Sequence, residues 1–177
     1  MTRLGLLWVF LGLLAAGHVE GAPYPRSAVI GGMNWDLAST RFAGDGGDIW
    51  PITWAADGSL RGAYGDGQIG CAAKVSYGMV TISTSPPALG LAPVACGPSG
   101  TGKGKLMALG AAGSALFARL APQTTGTGYP ILRSTDGGRS WTKGWSPLFA
   151  TDAFVQFGRG NAGAPGGYVY LVSVTEI

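Results

Sequence analysis

The chain has 177 residues and a net charge of +3, with 12% charged and 46% hydrophobic residues. Its basic residues are scattered and form no stripe, so nucleic acid is not expected as a partner. The single histidine, His18, lies in the N-terminal leader, so we expect neither a histidine base nor a metal site or cofactor in the mature chain. Abundant aromatic residues argue against disorder despite 32 Gly and 11 Pro.

Residues 1–21 have the pattern of a secretory signal peptide. Arg3 is followed by an apolar run of 13 residues, Leu4 to Ala16, which is too short to span a bilayer. Small residues at Val19 and Gly21 place the expected cleavage before Ala22. An uncleaved anchor is the alternative. We therefore expect a secreted or periplasmic protein that has no membrane contact after cleavage.

Residues 22–177 are expected to form one all-β domain, because glycine-rich turns separate short alternating runs. The expected elements are, in chain order, a strand at 27–32, a loop at 40–47, a hairpin at 48–66, a strand at 74–82, an irregular segment at 84–95, a hairpin at 105–120 that turns at 110–113, paired strands at 128–133 and 140–145, and a hairpin at 154–172.

The hairpin turns recur with a period. Their centres, Asp57, Ala112 and Pro165, are 55 and 53 residues apart. A period near 50 with strands alone is typical of a β-propeller with four-stranded blades. The chain holds roughly three such units, fewer than closed propellers have. We therefore expect an incomplete, N-terminal portion of a propeller; oligomeric closure or another all-β fold are the alternatives.

Asp48 and Asp66 are the candidate catalytic pair. A three-residue loop centred on Asp57 places them opposite each other, with Cβ atoms about 4.5–5.5 Å apart. Two carboxylates at that distance repel, so one tends to hold a proton, as an acid/base pair requires. A register one residue off would place them on opposite faces. Alternatively, both are turn residues bonded to nearby backbone N–H groups.

Candidate substrate-binding residues surround this pair. Trp50, Trp54 and Tyr64 alternate along the hairpin and are candidates for stacking on sugar rings, although packing between blades is the stronger expectation for at least two of them. Arg159, with Lys103 and Lys105, is a candidate for facing an acidic sugar or a charge near Asp48.

Two further features admit more than one interpretation. Cys71 and Cys96 fit one disulfide in an exported protein, or two buried thiols. Residues 97–104 match the phosphate-binding loop motif except at the last position, where Gly104 replaces the Ser or Thr that would hold Mg²⁺. An ordinary loop between blades is the better interpretation.

Ser134 to Trp141 matches the Asp-box, Ser-x-Asp-x-Gly-x-Ser/Thr-Trp, at every specified position. The segment resembles the repeats of sialidases and other secreted propellers. The resemblance implies a structural turn that joins the outer strands of one blade, away from the active site. Asp136 is therefore not a catalytic candidate.

A broader resemblance covers roughly residues 30–174. Its motifs are Asp-Ile-Trp-Pro-Ile-Thr-Trp-Ala-Ala-Asp-Gly at 48–58, Tyr-Gly-Asp-Gly at 64–67, Gly-Lys-Gly-Lys-Leu at 102–106, the Ser-Thr-Asp-Gly-Gly segment, and Phe-Gly-Arg-Gly-Asn-Ala-Gly-Ala at 157–164. The chain resembles a bacterial family of exported, five-bladed-propeller-like proteins with glycoside hydrolase relatives that act on arabinose-containing polysaccharides. The resemblance implies an axial active site, lined by the hairpin that carries Asp48 and Asp66.

These observations lead to one functional expectation and two alternatives. We expect a secreted glycoside hydrolase that acts on a polysaccharide, with an arabinan-like glycan as the candidate substrate. The first alternative is a non-catalytic propeller that binds carbohydrate or a cell surface. The second is a structural module without a ligand.

Overall fold

The computed structural model describes residues 27–39, 46–83, 89–97, 104–121, 130–145 and 153–172. The chain divides into two units, residues 1–37 and 38–177. In the described part of the first unit, the strand expected at 27–32 is absent. Ser27 Oγ instead accepts hydrogen bonds from the N–H groups of Val29 and Ile30, which bends the chain. The expected signal peptide and its cleavage site lie outside the described residues.

The second unit is built from antiparallel sheets, which confirms the prediction of an all-β fold. Sheet I has the strand order β1-β2-β3-β4 and sheet II the order β5-β6-β7-β8, and β9 pairs with β10. The strands are β1 (Ile52–Trp54), β2 (Leu60–Gly67), β3 (Val75–Ser83), β4 (Gly90–Cys96), β5 (Lys105–Ala112), β6 (Ala115–Ala121), β7 (Ile131–Ser134), β8 (Thr142–Lys143), β9 (Ala153–Val155) and β10 (Tyr170–Val172). Single 3₁₀ turns occur at Leu37–Ser39, Arg159–Asn161 and Pro165–Gly167.

The turn between β1 and β2 has the register that the sequence predicts. Trp54 pairs with Leu60 and Ile52 with Gly62, so the hairpin is centred on Asp57. Asp57 Oδ1 accepts hydrogen bonds from the backbone N–H and the hydroxyl of Ser59, and Gly58 has a φ of 89°. The carboxylate and the glycine together make this turn favourable.

Strand β4 corrects the expectation of an irregular segment at 84–95. Its pairing with β3 skips one residue, because Met79 faces Ala95 while Val80 faces Pro93. β4 is an edge strand of sheet I, where a proline that lacks an N–H is tolerated, particularly at a bulge. Proline content alone therefore predicted the wrong structure here.

Gly110 also corrects an expectation, because it lies inside β5 and the turn comes later, at Gly113 and Ser114. A Cβ atom at Gly110 would lie 2.8 Å from Cγ of Phe154 on β9. The glycine is needed because an aromatic ring packs directly against the strand, and no change of chain direction occurs there.

The main core lies between sheets I and II. Each sheet contributes apolar residues that neither could bury alone: Ala63 and Met79 come from sheet I, and Leu106, Leu109, Ala111, Leu116, Ala118 and Leu132 come from sheet II. A smaller cluster of Tyr64, Val75, Val80 and Ile82 lies within sheet I.

A disulfide joins Cys71 to Cys96, as one of the two interpretations of the sequence anticipated. Cys71 lies in the connection between β2 and β3, and Cys96 is the last residue of β4. The bond therefore ties edge strand β4 of sheet I to a loop that follows β2.

Replacing both cysteines by alanine should lower the free energy of unfolding by about 3 kcal/mol, because the bond closes a loop in the unfolded chain. Urea unfolding of the C71A/C96A variant, compared with the wild type, measures this. A reductant should destabilise the wild type and leave the variant unchanged. Equal urea midpoints for the oxidised and reduced wild type would contradict the prediction.

The segment Ser134–Trp141 forms the turn between β7 and β8, and its bonds converge on Asp136. Asp136 Oδ1 accepts hydrogen bonds from Ser134 Oγ at 2.7 Å and from the N–H groups of Arg139 and Ser140, while Oδ2 accepts one from Ser140 Oγ. These bonds, those from Ser140 foremost, hold the pKa of Asp136 well below its ordinary 3.8. Gly138, with a φ of 94°, lies against Met79 of sheet I.

Asp136→Asn should destabilise the chain, because an amide nitrogen cannot accept the bonds that now converge on the carboxylate. Since the folded pKa lies below the unfolded one, ionised Asp136 stabilises the fold above about pH 4, and this contribution is lost as the pH falls further. Melting curves from pH 7 to pH 2 should therefore show a lower midpoint and a flatter acid limb for D136N. Ser134→Ala should lower the midpoint at pH 7 as well. A D136N variant with the melting profile of the wild type would show that the turn contributes nothing.

Candidate functional site

Asp48, Asp66 and Lys105 form one cluster, which we call the carboxylate–lysine cluster. Lys105 Nζ donates to both carboxylate oxygens of Asp48, each at 2.9 Å, and lies 2.8 Å from Asp66 Oδ2. Asp48 precedes β1, Asp66 is near the end of β2, and Lys105 begins β5. The cluster therefore joins sheets I and II at one end of their strands.

The two aspartates meet in a different way from the expected direct pairing. Asp48 faces Gly65, one residue out of the expected register, and exchanges two backbone hydrogen bonds with it. Ile49 and Asp66 have positive φ values of 51° and 46°, so the regular alternation of side chains is broken at both. Both carboxylates consequently reach Lys105, although such a slip in a regular ladder would separate them.

Gly65 makes room for the cluster. A Cβ atom at this position would lie 2.5 Å from Asp48 Oδ1 and 3.2 Å from Lys105 Cδ. Because real Cβ atoms essentially never approach other heavy atoms that closely, a larger residue would displace the salt bridge. The ion pairs therefore require a glycine at position 65, within the Tyr-Gly-Asp-Gly stretch.

The Lys105 ammonium contacts both carboxylates, whereas the sequence predicted a proton held by one of them. Its hydrogen bonds to Asp66 and Asp48 raise the pKa of Lys105 and outweigh the effect of burial. The Lys105 side chain is 16% exposed, Asp66 is 24% exposed and Asp48 is 56% exposed. Asp48 is thus the carboxylate most open to a ligand.

The two carboxylate oxygens of Asp66 lie in different surroundings. Oδ2 pairs with Lys105, whereas Oδ1 is buried and has no hydrogen-bond partner among the described residues. A buried carboxylate oxygen without a partner costs free energy, and such sites are often functional. In the described ranges, no group of three His, Cys, Asp or Glu residues is placed to hold a metal ion.

The three aromatic candidates have different environments. Tyr64 is 1% exposed, and its hydroxyl donates to Ile69 O and contacts Cys71 Sγ, so its ring is a core element. Trp50 packs against Tyr64 with ring centroids 5.6 Å apart and remains half-buried near Asp48. Trp54 is 46% exposed, but its indole N–H donates to Gly58 O at the other end of β1.

Arg159 is also remote from the carboxylate–lysine cluster. A Cβ atom at Gly58 would lie 3.6 Å from an Arg159 guanidinium nitrogen, which places Arg159 over the turn between β1 and β2. Lys105 meets the expectation of a cation near Asp48. Lys103 and most of the phosphate-loop-like segment lie outside the described residues.

Gln156 contacts β1 in a way that no sequence motif signals. Its Oε1 accepts hydrogen bonds from Thr53 Oγ1 and from the N–H of Trp54, and its Nε2 donates to Trp54 O at 3.2 Å. One amide side chain therefore satisfies the open edge of β1 as a neighbouring strand would. The partners are 102 and 103 residues apart, so no local pattern could have revealed the contact.

Comparison with protein-family models, curated proteins and solved structures found no match to this chain. Within the ranges that the structure describes, no helix is long and apolar enough to cross a membrane.

Lys105→Met should destabilise the fold, because Asp48 and Asp66 would face each other without a cation. The free energy of unfolding should fall by about 1–3 kcal/mol, which lies between the values typical of exposed and buried ion pairs. Urea unfolding at neutral pH measures the loss. Added salt should reduce it by screening the repulsion, and Asp48→Asn in the K105M background should restore part of it. A K105M variant that matches the wild type at low salt would show that the cluster is energetically neutral.

Proposed function

We propose that the chain is a secreted carbohydrate-active protein and that Asp48 and Asp66 form the catalytic pair of a glycoside hydrolase. The observation that carries this proposal is the shared Lys105 ammonium. Both carboxylates bond to one nitrogen, so the bonded oxygens lie less than about 6 Å apart, near the roughly 5–5.5 Å of retaining glycosidases.

The exposures of the two carboxylates suggest their roles. Asp48, the more exposed, would donate a proton to the leaving oxygen and later accept one from water. Asp66 would use Oδ2, since Oδ1 is buried, to form a bond to the anomeric carbon as the glycosidic bond breaks. Water then releases the sugar from Asp66. Lys105 donates to both Asp48 oxygens, so it must leave Asp48 before this carboxyl can carry the proton, and it must leave Asp66 Oδ2 during attack.

The finer structural proposal is a β-propeller whose blades begin with sheets I and II. Two successive four-stranded antiparallel meanders support it, as does the turn between β7 and β8, whose sequence resembles an Asp-box. The leader sequence and the disulfide support export. The resemblance to arabinan-degrading proteins makes an arabinan-like polysaccharide the proposed substrate, with half-buried Trp50 as the aromatic residue beside it.

Glycan binding without catalysis is the second candidate. It is favoured by the two hydrogen bonds from Lys105 to Asp48, because an ion pair with a purely structural role makes the same bonds. The exposed indole of Trp54 is available for stacking. In this case the chain would hold a polysaccharide and release no sugar.

The test is sugar release from branched arabinan by the full, disulfide-bonded chain. Asp48→Asn and Asp66→Asn should each lower kcat by a factor of about 10²–10⁴ or more, because each removes a group that acts only in the transition state. Azide should restore turnover to Asp66→Ala with inversion at the anomeric carbon, which a merely structural carboxylate would not permit.

Asp136→Asn is the matched control, since it removes a carboxylate at the opposite end of the sheets. Its folded fraction should keep the wild-type kcat, whereas its melting temperature should fall. If the wild-type chain binds arabinan and releases no sugar, the catalytic proposal is wrong and the binding function stands. If D136N alone abolishes turnover, the assignment of roles is inverted.

A further inference from the structure

A groove crosses the end of the sheets opposite the carboxylate–lysine cluster. It consists of two adjoining pockets of about 270 and 490 Å³, which share Ala56 and Gly113. We call it the turn-end groove, because the turns that follow β1, β5 and β7 line it. Its lining includes three arginines and a serine, namely Arg61, Arg139, Arg159 and Ser114.

The floor of the turn-end groove is made of small residues held by backbone contacts. Gly113 N donates to Gly160 O at 2.9 Å. A Cβ atom at Gly160 would lie 2.7 Å from Cβ of Ala56. Because these residues have little or no side chain, the backbones approach closely and the space above them stays open.

Three arginines line the turn-end groove. Arg61 is anchored by hydrogen bonds to Thr81 Oγ1 at 2.6 Å and to Asp57 Oδ2 at 2.9 Å, and its side chain is 17% exposed. Arg139 donates to the backbone oxygen of Asp136. Among the described residues, Arg159 forms no salt bridge with a carboxylate. One guanidinium is therefore fixed, and two are available to a ligand.

The carboxylates in the turn-end groove already accept hydrogen bonds from neighbouring groups of the protein. Asp57 binds Ser59 and Arg61, and these bonds lower its pKa to about 2, so it stays ionised and occupied at neutral pH. Asp136 is used by its own turn. The donors left for a ligand are guanidinium N–H groups and the Ser114 hydroxyl.

We propose that the turn-end groove binds an acidic oligosaccharide, with Arg139 and Arg159 contacting carboxylate groups of successive sugars. Two adjoining pockets, one lined by Arg139 and the other by Arg159, fit a linear ligand that carries acceptors at intervals, and guanidinium groups bind carboxylates bidentately. The site is separate from Asp48 and Asp66, so the proposal does not depend on their catalytic role.

The experiment measures binding of a homogeneous oligogalacturonate to the full, disulfide-bonded chain by calorimetry. The affinity should fall as salt is added. Arg159→Gln and Arg139→Gln should each weaken binding about tenfold, the usual loss for a charged hydrogen bond. Ser114→Glu should abolish binding by placing a carboxylate in the groove, whereas Ser114→Gln should retain it. Ser114 lies in an exposed turn, so neither change should disturb folding.

Arg133→Gln is the matched control, because it removes an exposed arginine of β7 that does not line the turn-end groove. It should bind as the wild type does. Equal loss with R133Q and R159Q would overturn the proposal in favour of a general charge effect. Binding of single-stranded DNA as tight as that of oligogalacturonate, or no binding of oligogalacturonate at low salt, would also overturn it. Binding is measured without turnover, so failure of the catalytic proposal leaves this result unaffected.

Discussion

The burial of the two sheets against each other is the constraint on which the rest of the structure depends. Ala63 and Met79 of sheet I are almost fully buried only because sheet II covers them. Strand β5 lies at this contact and also touches β1, β2 and β9. It begins at Lys105, in the carboxylate–lysine cluster, and ends beside Gly113, in the turn-end groove. One strand of eight residues therefore sets both sites about 25 Å apart.

The fold class and most strand positions could be predicted because turn chemistry and residue alternation are local signals. Asp57-Gly58 fixed the register of the first hairpin, since few residues tolerate that turn. Two local signals failed for a tertiary reason. Pro93 is compatible with a strand only because β4 is an edge, and Gly110 is small because a ring from β9 lies against it. Composition cannot distinguish these cases from loops.

The candidate site could be predicted less completely. The equal spacing of Asp48 and Asp66 from Asp57 predicted that they lie close together, and in the structure both contact Lys105. The route is different, because a slip at Gly65 and positive φ values replace the regular ladder. The ammonium between them comes from another sheet, so hairpin geometry alone suggested repulsion where attraction exists. Arg159 lies at the other end of the hairpin, over the turn between β1 and β2, and no local pattern could show this position.

The strand order of the sheets has a consequence for how fast the chain can fold. Every strand in the described ranges pairs with the strand that precedes or follows it in sequence, so within sheets I and II the loops that must close first are short. Contacts such as Lys105 with Asp48 and Gln156 with Thr53 span 57 and 103 residues. We expect each meander to form early and the docking of one sheet on the next to limit the folding rate. Contacts between distant residues offset the entropy cost of loop closure only after both sheets have formed.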